Sequence, residues 1–116
     1  MDWAEISLGT VQRGAWAVIA VGGELDVYNA ARLKQFLIEL LDRGQLRLLA
    51  DLNGLSFIDS TGLSALVSAM RRTKEREGLF GVVCGDGTAK RVIEVSGVDK
   101  ILPVFASEEE AVSALE

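Results

Sequence analysis

Apolar and polar residues alternate loosely over AEISLGTV (residues 4–11), and after a turn signal at Gly14 the chain becomes more continuously apolar over AWAVIAVG (15–22). Both stretches read as strands, the second more buried, and their short separation predicts an antiparallel pair. GGELDVYN then reads as a polar, glycine-led loop. From Ala30 to Arg43 the period changes: Leu33, Phe36, Leu37, Leu40 and Leu41 recur at three- and four-residue steps, which predicts a helix. Asn29 is placed to cap its start and Gly44 to stop its end. LRLLADL (46–52) is a short apolar run of the kind that forms a buried central strand. Leu63, Leu66, Val67 and Met70 mark the inner face of a second helix ending near Glu77 and Gly78. LFGVVCG (79–85) reads as the next strand, and DGT opens a short helix that contains Val92 and Ile93 and closes at Gly97. ILPVFA (101–106) is the last strand, with Pro103 favouring a sheet edge. Ser107 with Glu110 three residues on forms a capping box before a terminal helix, AVSAL.

The order is β-β-α-β-α-β-α-β-α, the pattern of an α/β protein. It predicts a small mixed, mainly parallel β-sheet backed by α-helices through right-handed crossovers, with residues 1–116 as a single domain.

Composition narrows the chemistry. The 116 residues carry a formal charge of −5, with 49% apolar and 25% charged residues, a balance usual in soluble globular proteins. Nucleic-acid binding draws its affinity from Lys and Arg neutralising phosphates, so an acidic chain is a poor candidate, and an anionic membrane surface repels it. No apolar run reaches the length of a membrane span, and nothing at the N-terminus reads as a signal peptide. Cys84 is the single cysteine. An internal disulfide is therefore impossible, the expected compartment is the reducing cytoplasm, and the thiol reads as a small buried hydrophobe. Histidine is absent, which removes Ser-His-Asp and Cys-His nucleophile systems and the usual zinc spheres. The composition points away from an enzyme, a metal site and a cofactor. No glycine-rich P-loop sequence suggests a nucleotide site.

One stretch carries candidate chemistry. FIDSTGL (57–63) places Asp59, Ser60 and Thr61 where a strand has ended and a helix begins. First-turn N–H groups lack intrahelical partners, so Asp59 or Ser60 as a cap is a sufficient explanation by itself. The same geometry suits a switch. A hydroxyl at a helix start is exposed, and phosphorylation there adds about −1.5 to −2 charges, which the helix dipole accommodates within the domain. A partner pressed on the helix start meets a new anion.

GELD (23–26), the strand LLADL, LSFIDSTGL (55–63) and SGVDKIL (96–102) together resemble the anti-sigma factor antagonists of the STAS domain family over nearly the whole chain. The resemblance implies a small sheet backed by helices and a role in transcription regulation by partner switching, in sporulation or stress responses. It implies binding, in the unphosphorylated form, to an anti-sigma factor that is often also a serine kinase. Phosphorylation cancels the binding, a phosphatase acting on phosphoserine restores it, and ATP and magnesium belong to the kinase. Residue by residue, Ser60 corresponds to the acceptor, with Thr61 as second choice where the family often has another serine. Asp59 corresponds to the motif aspartate, and Asp26 to an acid close to the acceptor. Asp26 also reads as an ordinary turn or cap acid. The partner-binding set is Asp26, Asp59, Ser60, Thr61 and Ser64. Ser68, Arg71 and Arg72 extend the outer face of the second helix, unless that face is simply solvated.

Three other classes compete. A receiver-like phosphoacceptor would use Asp51 in LLADLNG, but the extra acids and the lysine of receivers are missing. STAS domains also serve as regulatory modules in stress complexes and in anion transporters. An enzyme would need Asp26 and Asp59 as an acid pair lining a pocket.

Overall fold

The computed structural model describes residues 5–116, so the Ala4 end of the expected first strand lies outside the described residues. Along the chain run β1 (Ile6–Arg13), β2 (Trp16–Leu25), α1 (Ala30–Asp42), β3 (Arg47–Ile58), α2 (Ser60–Glu75) and β4 (Leu79–Val83). There follow α3 (Thr88–Ser96), a 3-10 turn (Val98–Lys100), β5 (Val104–Phe105) and α4 (Glu108–Leu115). The strands lie side by side in the order β1-β2-β3-β4-β5. β1 pairs antiparallel with β2, and the other three pairings are parallel, so the α/β architecture is as the sequence suggests.

Strand alternation sorts the side chains onto two faces. Ile19, Val21, Leu48, Ala50, Leu52, Phe80 and Val82 pack with Leu33 and Leu37 of α1, Leu66 and Met70 of α2 and Ile93 of α3 in the main core. Trp16, Val18, Leu49 and Val83 point the other way and meet Ala111, Val112 and Leu115 of α4. The sheet is thus covered on both sides at β3 and β4, and the indole of Trp16 donates to Glu116 Oε1 at 2.8 Å. Each fully buried Leu or Ile contributes about 1.5–3 kcal/mol relative to exposure, which makes the α2 stripe the main anchor of the helix that carries the motif.

Several boundaries differ from expectation, each for a physical reason. β2 continues through Gly22, Gly23 and Glu24 to Leu25, where the sequence reads as a loop. β3 runs for 12 residues instead of stopping at Leu52. Asn53-Gly54 resembles a turn in composition, but a Cβ on Gly54 would stand 3.2 Å from Gly22 Cα. Two glycine-bearing strands approach closely there, and the register shifts between Ala20 and Gly22 and again between Gly23 and Glu24. The last strand contracts to Val104–Phe105, at the sheet edge that Pro103 favours; the 3-10 turn takes up the residues just before Ile101. The terminal helix starts at Glu108, three residues before AVSAL. Ser107 Oγ accepts from Glu110 N–H at 3.2 Å, while the Glu110 carboxylate accepts from Ala106 N–H, one residue earlier than in a strict capping box.

α1 ends in a Schellman motif at Gly44 (φ 88°), with Gly44 N–H donating to Leu41 O and Gln45 N–H to Leu40 O. α2 ends at Glu75, earlier than the sequence suggests, in the same motif. Here the left-handed position falls on Glu77 (φ 59°), and Gly78 is the residue after it. Gly78 has its own reason to be glycine: a Cβ would lie 2.4 Å from Leu46 O. A non-glycine in the left-handed region costs about 1–2 kcal/mol, partly offset by the greater freedom glycine has when unfolded. Glu77→Gly is therefore expected to stabilise the protein by about 0.5–1 kcal/mol, read as a higher midpoint in urea with an unchanged slope.

Candidate functional site

The C-terminal ends of β2 and β3 finish side by side, with Leu25 opposite Ile58 and Asp59 N–H donating to Leu25 O at 3.1 Å. Asp26 and Asp59 each follow directly, so two neighbouring parallel strands deliver two acids to one end of the sheet. Both are half-buried. Asp59 is the N-cap of α2, its Oδ1 accepting from Gly62 N–H at 2.9 Å. That settles which motif residue caps. Ser60 begins the helix, exposed, and its hydroxyl has no hydrogen-bond partner among the described residues.

Asp26 organises the loop to α1. Its Oδ1 accepts from Tyr28 N–H at 2.9 Å, and its carbonyl accepts from Asn29 and Ala30 N–H. Asn29, 7% exposed, stands at the N-cap of α1 as the sequence suggests but makes no side-chain cap there. It turns back instead, its amide donating to Glu24 O at 2.7 Å while its Oδ1 accepts from Asp26 N–H at 2.9 Å. The turn-acid reading of Asp26 thus holds in the geometry, at the very place where the acid stands next to the motif.

Ser60 and Thr61 diverge. Ser60, Leu63, Ser64, Val67, Ser68 and Arg71 line one wall of a groove of about 480 Å³ between α2 and the Ser96–Ile101 segment. Thr61, Ser64 and Ser68 also line a smaller groove, about 240 Å³, against Ala30, Ala31 and Lys34 of α1. Ser64 faces both. Arg71 and Arg72 are exposed, and Arg72 lines neither groove. Exposed Val27, Tyr28 and Phe57 flank the acids, and Ile101 stands exposed at the groove. None of them stands out in the sequence: Val27 and Tyr28 fall in the expected loop, Phe57 lies beyond the expected end of its strand at Leu52, and Ile101 falls in the expected last strand.

Asp51 lies mid-strand on β3, opposite Ala20 and Val83, its carboxylate accepting from Asn53 N–H. The strand continues to Ile58, so Asp51 is not at a strand end. Cys84 is buried, and burial pushes its thiol above the usual range, opposed by the charge of Lys90 and reinforced by that of Asp51. The folded state favours the neutral thiol, so this contribution is complete below the unfolded thiol's pKa and is lost as pH rises through the folded one. Cys84 is expected to react with Ellman's reagent at pH 8 at least about tenfold more slowly in the native protein than in urea. Among the described residues no helix is long and apolar enough to cross a membrane.

A family model described as the STAS domain matches residues 8–111. The anti-sigma-F factor antagonist RsfB of Mycobacterium tuberculosis is 29% identical over 113 residues, covering 95% of this chain and 89% of RsfB. The crystal structure of an anti-sigma factor antagonist from Mycobacterium paratuberculosis is similar with a TM-score of 0.81 at 28% identity, over 96% of this chain and 94% of that one. The anti-sigma factor antagonist SpoIIAA, from Bacillus, is similar in both its unphosphorylated form (TM-score 0.72) and its phosphorylated form (0.66). Identity is 25% in each case, over 95% of this chain and 95% and 98% of those chains.

Proposed function

This chain belongs to the STAS domain family, and we propose that it is an anti-sigma factor antagonist switched by phosphorylation of Ser60. In the unphosphorylated state the end of the sheet around Asp26, Asp59, Ser60, Thr61 and Ser64 docks on an anti-sigma factor, which releases its sigma factor. The anti-sigma factor acts as the serine kinase, and a phosphoserine phosphatase resets the switch. Residues 1–116 act as one domain in the cytoplasm.

The observation that carries this reading is the division of labour at the start of α2. Asp59 supplies the cap, which leaves the adjacent Ser60 hydroxyl exposed and unengaged. A cap that also had to accept phosphate would lose its bond to the backbone, at a cost of about 1 kcal/mol. Here the phosphate arrives where free N–H groups and the helix dipole favour an anion. The half-buried Asp59 beside it opposes that gain, so the domain is left close to neutral in stability. A docked surface has no such compensation.

Ser60→Ala is expected to abolish phosphate incorporation by the cognate kinase while binding persists. Undiminished labelling at a single site would shift the acceptor to Thr61. The phosphorylated protein is expected to keep its label in acid, as phosphoserine does; loss of label in acid would point to an acyl phosphate such as one on Asp51.

A further inference from the structure

We propose that the outer edge of β1 pairs with the same edge of a second copy, antiparallel about a two-fold axis through Gly9. This goes beyond the switch and does not depend on it.

The hydrogen-bond phase of β1 fixes which of its groups are free. Glu24 N–H donates to Glu5 O across the pair of Ile6 and Gly23, which makes that pair a non-hydrogen-bonded one. Along an antiparallel ladder the two kinds of pair alternate, so Ser7, Gly9 and Val11 bond to β2. Ile6, Leu8, Thr10 and Gln12 turn their N–H and C=O groups outward. The Arg32 guanidinium reaches one of these, Ile6 O, at 3.3 Å, as an outward carbonyl allows. No strand of the described residues pairs with this edge.

Proteins ordinarily guard such an edge with charge, proline or a bulge. From Ile6 to Gln12 this one has none: the residues are ISLGTVQ, and the bulges lie between β2 and β3. Charges stand only towards its two ends: Glu5 and Arg13 of the strand itself, and the Arg32 guanidinium on Ile6 O, which pairing with Gln12 N–H of the second copy would share or displace. In the register centred on Gly9, Leu8 of one copy bonds to Thr10 of the other. Ser7 meets Val11, whose half-exposed side chain gains a neighbour, and Glu5 meets Arg13 twice. The two acidic chains, which repel overall, thus meet through an uncharged strip closed at each end by opposite charges. Arg13 already bonds Glu108 on the same face and remains largely exposed, so it can serve both acids. Gly9 needs no side chain at the axis, where the two Cα atoms approach to about 4.5 Å. The two sheets become one, and the α2 motif of each copy, two strands away from the seam, stays open.

The register makes the test specific. A cysteine at a non-hydrogen-bonded antiparallel pair has the Cα separation a disulfide needs. A Cβ on Gly9 meets nothing within 4 Å, so Gly9→Cys leaves the fold undisturbed, and buried Cys84 stands aside. Under mild copper–phenanthroline oxidation, Gly9→Cys is expected to form a covalent dimer at least about tenfold faster than Ser7→Cys or Val11→Cys. Sedimentation equilibrium of the unmodified protein is expected to show a monomer–dimer equilibrium below about 1 mM. A monomer throughout that range, or cross-linking of Gly9→Cys no faster than that of its neighbours, overturns the proposal.

Discussion

Ser60→Asp is expected to weaken binding to the anti-sigma factor by about a thousandfold while the melting temperature stays within roughly 3 °C of the unmodified protein. A thousandfold corresponds to about 4 kcal/mol, which is in the range measured for leaving one charge of an interface desolvated and unpaired. Within the domain the same carboxylate occupies the first residue of α2, where negative charge gains about 0.3–1 kcal/mol from the helix dipole. Asp59 beside it returns part of that gain. The hydroxyl that is lost has no partner among the described residues, so its removal leaves nothing unsatisfied. The two effects separate because one is felt by the partner and the other by the fold. Binding is read by calorimetric titration and stability by thermal denaturation on the same preparation. A comparable loss in both would identify the substitution as a folding defect rather than a switch.

Gly23→Ala is expected to destabilise the protein by about 2–5 kcal/mol, the sum of a left-handed backbone penalty and a forced shift of packed structure. Gly23 has φ 92°, and a Cβ there would stand 2.2 Å from Glu5 O, a backbone atom that cannot swing aside. That carbonyl accepts from Glu24 N–H, so the shift opens the end of the β1–β2 ladder. The next link is functional. Asn29 bonds Glu24 O and Asp26 N–H, and displacement of Glu24 loosens the loop that presents Asp26, Val27 and Tyr28. A fall in melting temperature of about 10 °C or more is expected at this size, with weaker partner binding even at temperatures where the variant is folded. Gly9→Ala, in the same sheet but with open space and no positive φ, is the matched control and is expected to change stability by less than about 1 kcal/mol.

The fold was legible where periodicity was strong. Leu33, Phe36, Leu37, Leu40 and Leu41 define α1 without help from tertiary structure, and alternating strands and helices imply the parallel sheet. Boundaries failed where glycine serves close approach instead of a turn. Gly22, Gly23 and Gly54 look like punctuation in one dimension, yet they let β2 and β3 run past their expected ends as a bulged pair. Periodicity alone gave no reason for Asp26 to stand near the motif, which only the family resemblance suggested; the extension of both strands, with Leu25 opposite Ile58, is what brings Asp26 beside Asp59. The motif itself was legible as a helix start, but whether Asp59 or Ser60 caps it depends on a single hydrogen bond that spacing alone leaves open. Exposed Val27, Tyr28 and Phe57 carry no periodic signal, and α4 crossing to the opposite face follows only from the parity of Trp16, Val18 and Leu49.

The most direct measurement is the affinity of one anti-sigma factor for this protein carrying phosphate on Ser60 alone, against the same protein without it, at equal ionic strength. A dissociation constant raised by about three orders of magnitude is expected. Equal affinities would leave Ser60 as the first residue of a helix and nothing more.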